Sequence, residues 1–156
     1  TTQAKDDAVR YIHDEVGYNY RLTNIQAAMG VAQLENLPGF IEKKTNNYQY
    51  YMLNINKIDG LNVSDVPRYA KSNNWMYALQ IDKKKYSMDK EKLYNHLAKS
   101  GIETRPVWYP NHLQKMFTKH QSYKIAKATI LHSNTLNIPC SVGLNESELA
   151  KIVAHL

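Results

Sequence analysis

Apolar residues at three- and four-residue spacing begin at Ile25 and continue through Ala28, Met29, Ala32 and Leu37, the period of one face of an α-helix. Thr23 stands where an N-cap belongs, and Gln26 completes a capping box three residues later, so a helix is expected to start there. Gly30 inside it implies a close approach of another backbone, since a missing side chain otherwise weakens a helix. Pro38 suits the first turn of a second helix, where its lost N–H is not needed. That second stripe passes through Ile41, Tyr48, Tyr51, Met52, Ile55 and Ile58. Gly60 supplies the left-handed residue that commonly ends such a helix. Two helices are therefore predicted over 23–60, the second long enough to bridge two lobes.

Beyond Gly60 the period shortens, and the run from Trp75 to Ile81 reads as a strand of mixed aromatic and aliphatic residues. Ser87 is placed to cap a helix over Met88 to Ser100, with Leu93 and Leu97 inward and Gly101 closing it. A strand is expected from Ile102 to Trp108, broken by Pro106 and Pro110. A helix follows over Gln121 to His132, then a short strand, Leu136 to Ile138, stopped by Pro139. Asn145 and Glu148 form a second capping box, which opens a helix through Leu149, Ile152 and Val153. The fold class implied is α/β (α+β): a small sheet covered by helices, preceded by two connecting helices.

A chain of 156 residues, 43% hydrophobic and 22% charged, fits one domain or part of a larger protein. It opens on Thr1, with no initiator methionine and no apolar run before the first turn signals, and is expected to begin inside a longer polypeptide. No apolar run is long enough for a membrane helix. The single cysteine, Cys140, cannot form an internal disulfide, which fits a reducing, cytoplasmic setting. The net charge of +6 favours an anionic partner, but the basic residues are interleaved with acids, and the longest run is Lys83 to Lys85. A solvated mixed surface accounts for this better than a nucleic-acid face, and neither nucleic acid nor membrane is expected as a partner. His120, His132 and His155 lack metal-ligand spacing, so no metal is expected. Asp14 and Glu15 are adjacent and poorly placed to flank a glycosidic bond. Cys140 lacks a recognisable catalytic partner.

The segment Gly17-Tyr18-Asn19-Tyr20-Arg21, continuing into Gln26-Ala27-Ala28-Met29-Gly30-Val31-Ala32-Gln33-Leu34-Glu35, resembles the DegT-type sugar aminotransferases. Gly101 to Pro110 with His112 is similar to the family's strand and loop after its small-domain helix. Leu136-Asn137-Ile138-Pro139 before a Glu-rich terminal helix is similar to the family's usual ending. The opening Thr1 to Lys5 and His13-Asp14-Glu15 look most like the branch that acts on nucleotide-linked 4-keto-6-deoxy hexosamines.

The resemblance implies the C-terminal portion of a fold-type-I transferase that uses pyridoxal 5'-phosphate. Its partners would be glutamate, a nucleotide sugar and a second copy in a homodimer. Residues 1–22 would form an interface and active-site loop, 23–60 the connecting helices and 61–156 the small domain. The family's cofactor lysine, in a Ser-x-x-x-x-Lys motif followed by a glycine cluster, is expected in an absent large domain, so this chain alone should be inactive. Asn19 matches the asparagine that reaches the cofactor phosphate of the neighbouring subunit; alternatively it caps a turn. Arg21 has two readings, a pair with phosphate or carboxylate and a tie to Asp14. Arg105, Trp108, Tyr109 and His112 would border the sugar site, with core packing the alternative for Trp108 and a surface or core position for His112. Two rival classes remain open: a non-catalytic sugar-binding homologue, and a basic nucleic-acid or regulatory module.

Overall fold

The computed structural model describes residues 12, 16–18 and 22–156. Helix α1 runs from Asn24 to Ile55 with Pro38 inside it, so the two helices expected over 23–60 are one. Pro38 cannot donate to the carbonyl of Leu34 four residues back. Both residues lie on an exposed stretch where water can serve that carbonyl. Ending one helix and nucleating another would cost a fresh turn of ordered backbone, and the helix runs on through Pro38 and Gly39 alike. The start is as expected: Thr23 Oγ1 accepts from the Gln26 amide and Gln26 Oε1 from the Thr23 amide.

The end comes earlier than Gly60. Asn56 caps α1, and its side-chain oxygen accepts from the Val63 amide at 2.8 Å. Gly60 instead serves the turn into the sheet, at φ +82, where a Cβ would lie 2.5 Å from the Tyr86 nitrogen. The approach expected at Gly30 is not made, since no described atom lies within 4 Å of an added Cβ. The apolar face around it is open, with Ile25 and Met29 exposed by 75% and 64%.

Strands β1 (Leu61–Val63), β2 (Tyr77–Ile81), β3 (Arg105–Pro106) and β4 (Thr135–Ile138) form one antiparallel sheet in the order β1-β2-β4-β3. The strand expected over 102–108 shrinks to two residues, because prolines have no amide to give a ladder. Helices α2 (Lys90–Lys99), α3 (Lys127–Asn134) and α4 (Glu146–Ala154) complete the fold. Helix α2 is capped by Asp89 in place of Ser87, and α3 starts six residues after Gln121. The Asn145–Glu148 capping box forms in both directions. Among the described residues, no helix is long and apolar enough to cross a membrane.

Alternation along the strands divides the sheet into two unlike faces. On one face Val63, Tyr77, Leu79, Leu136 and Ile138 are buried and meet Tyr51 and Ile55 of α1, Leu93 and Leu97 of α2, and Leu149 and Ile152 of α4. The other face carries Asn62, Gln80, Thr135, Asn137 and Arg105, as the registers Asn62↔Gln80, Gln80↔Thr135 and Arg105↔Asn137 require. Helix α3 lies against this polar side of β2. It contributes no buried residue.

Candidate functional site

Asn19 and Arg21 lie outside the described residues. The other four candidates fall on the chain that leaves the edge strand β3. Arg105 belongs to the strand, Trp108 and Tyr109 follow it, and Pro110 leads into a single 3-10 turn, Asn111–Leu113, that carries His112. The structure brings only two of them into one concavity. Arg105 and Trp108 line a cavity of about 480 Å³ with Met76, Asn137, Cys140 and Lys151. Tyr109 turns instead toward α3, its ring edge-on to His132 at 5.3 Å. His112 is half-buried on its turn and does not line the cavity.

The cavity wall is held by α1. Lys44, Asn47 and Tyr51 are spaced to share one helix face, and they bind three successive carbonyls of the chain leaving β4. Tyr51 donates from its hydroxyl to Pro139 O at 3.1 Å, Lys44 Nζ to Cys140 O at 2.6 Å, and Asn47 Nδ2 to Ser141 O at 3.2 Å. These carbonyls have left the ladder, so buried partners from the helix replace strand partners. Lys44 also donates to Trp75 O at 3.0 Å and sits 5.6 Å from the centroid of the Tyr77 ring. One ammonium thereby ties the start of β2 to the end of β4.

Trp75 enters the site from the segment before β2. Its ring centroid is 5.4 Å from that of Trp108, with the planes tilted by 37°. The backbone ahead of it is fixed by Asn74, a left-handed residue at φ +50 whose buried amide donates to Thr45 Oγ1 at 3.2 Å. Sequence reading assigned Trp75 to a strand and missed this pairing. The available signal was composition: the chain has only two tryptophans, and both stand at this edge.

The electrostatics separate a rim of mixed charge, Glu103, Arg105, Glu148 and Lys151, from a buried frame. Arg105 pairs with Glu103, and both side chains are largely in water, so the pair restrains the guanidinium only weakly. Burial raises the Tyr51 hydroxyl well above its ordinary pKa, with neighbouring Tyr77 adding to the effect. It therefore stays a donor to Pro139. Burial lowers the pKa of Lys90, whose Nζ donates to His132 O at 2.7 Å. Burial first, and the Lys90 charge second, lower that of His132. The imidazole against Tyr109 is thus biased toward its neutral form.

A larger cavity of about 680 Å³ lies at the opposite edge, beside β1, lined by Lys57, Lys83, Lys84 and Lys85 together with Asp59 and Asp82. None of the four described candidate residues lines it. As for a cofactor, the half-buried Lys44 and Lys90 both spend their ammonium groups on backbone carbonyls. The described residues do not make a complete pyridoxal-phosphate site. What they offer is one wall with Arg105, Lys151, Glu103, Glu148 and the Trp108 indole.

Comparison with known proteins fits this picture. The model of the DegT/DnrJ/EryC1/StrS aminotransferase family matches residues 2–156. GDP-perosamine synthase of Escherichia coli O157:H7 is 37% identical over 144 residues, covering 92% of this chain and 38% of that protein. Two solved structures share the fold. An aminotransferase of the same family from Brucella abortus has a TM-score of 0.76 at 21% identity, covering 98% of this chain and 40% of its own. DesI, crystallised in the presence of its TDP-sugar product, has a TM-score of 0.80 at 19% identity, covering 89% of this chain and 36% of its own. The chain spans about two fifths of the length of these relatives. A match that runs through the capped α1, the Arg105–Trp108 edge and α4 alike leaves one assignment: the chain belongs to the DegT/DnrJ/EryC1/StrS aminotransferase family.

Proposed function

We propose that the protein containing this chain is a pyridoxal-phosphate-dependent aminotransferase. In this reading it moves an amino group from glutamate to the ketone of a nucleotide-linked 4-keto-6-deoxy sugar, as a cytoplasmic homodimer serving amino-sugar synthesis. The observation that carries the reading is the convergence of Arg105 and Trp108 on one cavity in a chain of this family. A planar fork and an indole suit a ligand that joins anionic phosphates to flat and sugar rings.

The cofactor, when bound, supplies the electron sink that lets an amine leave one carbon and reach another. This chain's own contribution is different. Asn19 and Arg21 have the donor chemistry a phosphate takes, an amide N–H and a guanidinium, and we assign them to the cofactor phosphate of the neighbouring subunit. Arg105 and Trp108 shape the sugar side. Tyr109 and His112 act around it, Tyr109 by bracing the loop on His132. The exposed apolar face of α1 supplies subunit surface. Ser87 to Lys92 and Ser122 to Lys127 have the Ser-x-x-x-x-Lys spacing but no glycine cluster after the lysine, so the 156-residue chain by itself is expected to transfer nothing.

The test uses the full-length protein. With glutamate, its cofactor absorbance should move from the aldehyde-derived to the amine-derived band, and adding a nucleotide-linked 4-keto-6-deoxy sugar should restore it and yield an amino sugar by mass spectrometry. A protein that binds the sugar and shows neither change is a sugar-binding homologue, and the enzymatic reading fails.

A further inference from the structure

The fold commits an unusual amount of framework to one exposed side chain. Trp75 is 60% exposed, yet its backbone is fixed from three directions. Lys44 holds its carbonyl from α1. Asn73 Oδ1 accepts from its amide at 3.1 Å. Asn74 beside it sits at φ +50, a left-handed conformation that asparagine adopts more readily than other residues with a side chain, and its buried amide donates to Thr45. These bonds hold the Trp75 backbone in one orientation.

The presented ring meets Trp108, itself 47% exposed, at a centroid separation of 5.4 Å and a tilt of 37°. A third ring cannot enter between them, since two stacking contacts of about 3.5 Å each need roughly 7 Å. The outward face of Trp75 is the exposed one, and Trp108 beside it lines a cavity with Arg105 and Lys151 as well as Glu103 and Glu148. An anion attached to a planar group laid on Trp75 would find Arg105 and Lys151 as the cationic partners on that lining.

We infer that Trp75, braced on Trp108, is the stacking surface for the nucleobase of the sugar donor, and so a determinant of nucleotide affinity. This rests on the proposed nucleotide-sugar function. Stacking on an indole is tolerant of base identity because every base has a π-face. Trp75 therefore reads the presence of a base, while the choice among bases must come from polar groups at its rim.

The experiment is calorimetric titration of the full-length protein with GDP, UDP and dTDP in turn, against inorganic pyrophosphate. Trp75→Ala is expected to weaken the best-bound nucleoside diphosphate by at least about tenfold and to leave pyrophosphate within about twofold. Trp75→Phe, which keeps a smaller aromatic face, should recover most of the loss, and circular dichroism checks that each variant is folded. Unchanged nucleotide affinity in Trp75→Ala, an equal loss for pyrophosphate, or binding of none of the three nucleotides overturns the inference. The two readings fail separately. A protein that binds nucleotide through Trp75 but transfers no amine refutes only the enzymatic function. One that transfers amine with an unaltered KM for the sugar in Trp75→Ala refutes only the stacking role.

Discussion

The two faces of the sheet come from the same short strands and have opposite characters. One is closed by α1, α2 and α4 over a cluster in which Tyr51, Leu79, Leu93 and Leu136 are fully buried. The other is polar, with Asn62, Gln80, Thr135 and Asn137 facing the loosely packed α3 and the loop after β3. It even holds a buried hydroxyl, Thr135 Oγ1, without a hydrogen-bond partner among the described residues. Arg105 stands on this second side, and Tyr109 turns to α3 there. The cavity that Arg105 lines with Trp108 lies where the two sides meet, since Asn137 joins Ile138, Leu144 and Ile152 on its lining. The apolar face makes the fold, and its margin with the polar face carries the candidate cavity.

Substitutions should divide the same way. The largest loss is expected from Leu79→Ala, which opens a cavity in the closed face and should cost about 2–5 kcal/mol in urea unfolding. Gly60→Ala comes next: at φ +82, with the Tyr86 backbone in the way, it should cost about 1–3 kcal/mol by the same measurement. Asn145→Ala removes a cap from a helix that packs into the core, and about 1 kcal/mol should be lost. Ile130→Ala on the exposed α3 should stay within about 0.5 kcal/mol; a larger loss would show that the polar side is better packed than its exposure suggests.

The smallest effect concerns pH. His132 has a folded pKa below its usual 6.5 because burial, and then Lys90, disfavour its charged form. The unfolded chain therefore binds more protons just under pH 6.5, and stability should fall as the pH drops through 6.5 toward the folded value. Above 6.5 this contribution is constant. His132→Asn should flatten that limb of the stability profile, and an unchanged slope would remove His132 from the account.

What could be read from sequence was what local chemistry decides. Both capping boxes, Thr23–Gln26 and Asn145–Glu148, are complete within four residues, and the helices they open start where expected. Pro38 misled because a proline is a local signal, while the continuity of α1 depends on the length of good helix on either side. Strand β1 was missed for a similar reason: Leu61-Asn62-Val63 is too short to show alternation and becomes a strand only through its register with β2. Of the four described candidates, which a motif picked out, Arg105 and Trp108 line one cavity, and Tyr109 packs on His132 instead. The roles of Lys44 and Trp75 depend on hydrogen bonds that span 31 and 96 residues. No window along the chain contains that information.

The central claim is that the Arg105–Trp108 edge serves the sugar and not the amino donor. Separate half-reaction kinetics on full-length Trp108→Ala test it most directly, with cofactor absorbance as the readout. The expected result is a KM for the nucleotide sugar raised by about tenfold or more, with the glutamate half-reaction within about twofold of the parent. An equal loss in both half-reactions, or a loss in neither, would contradict the account.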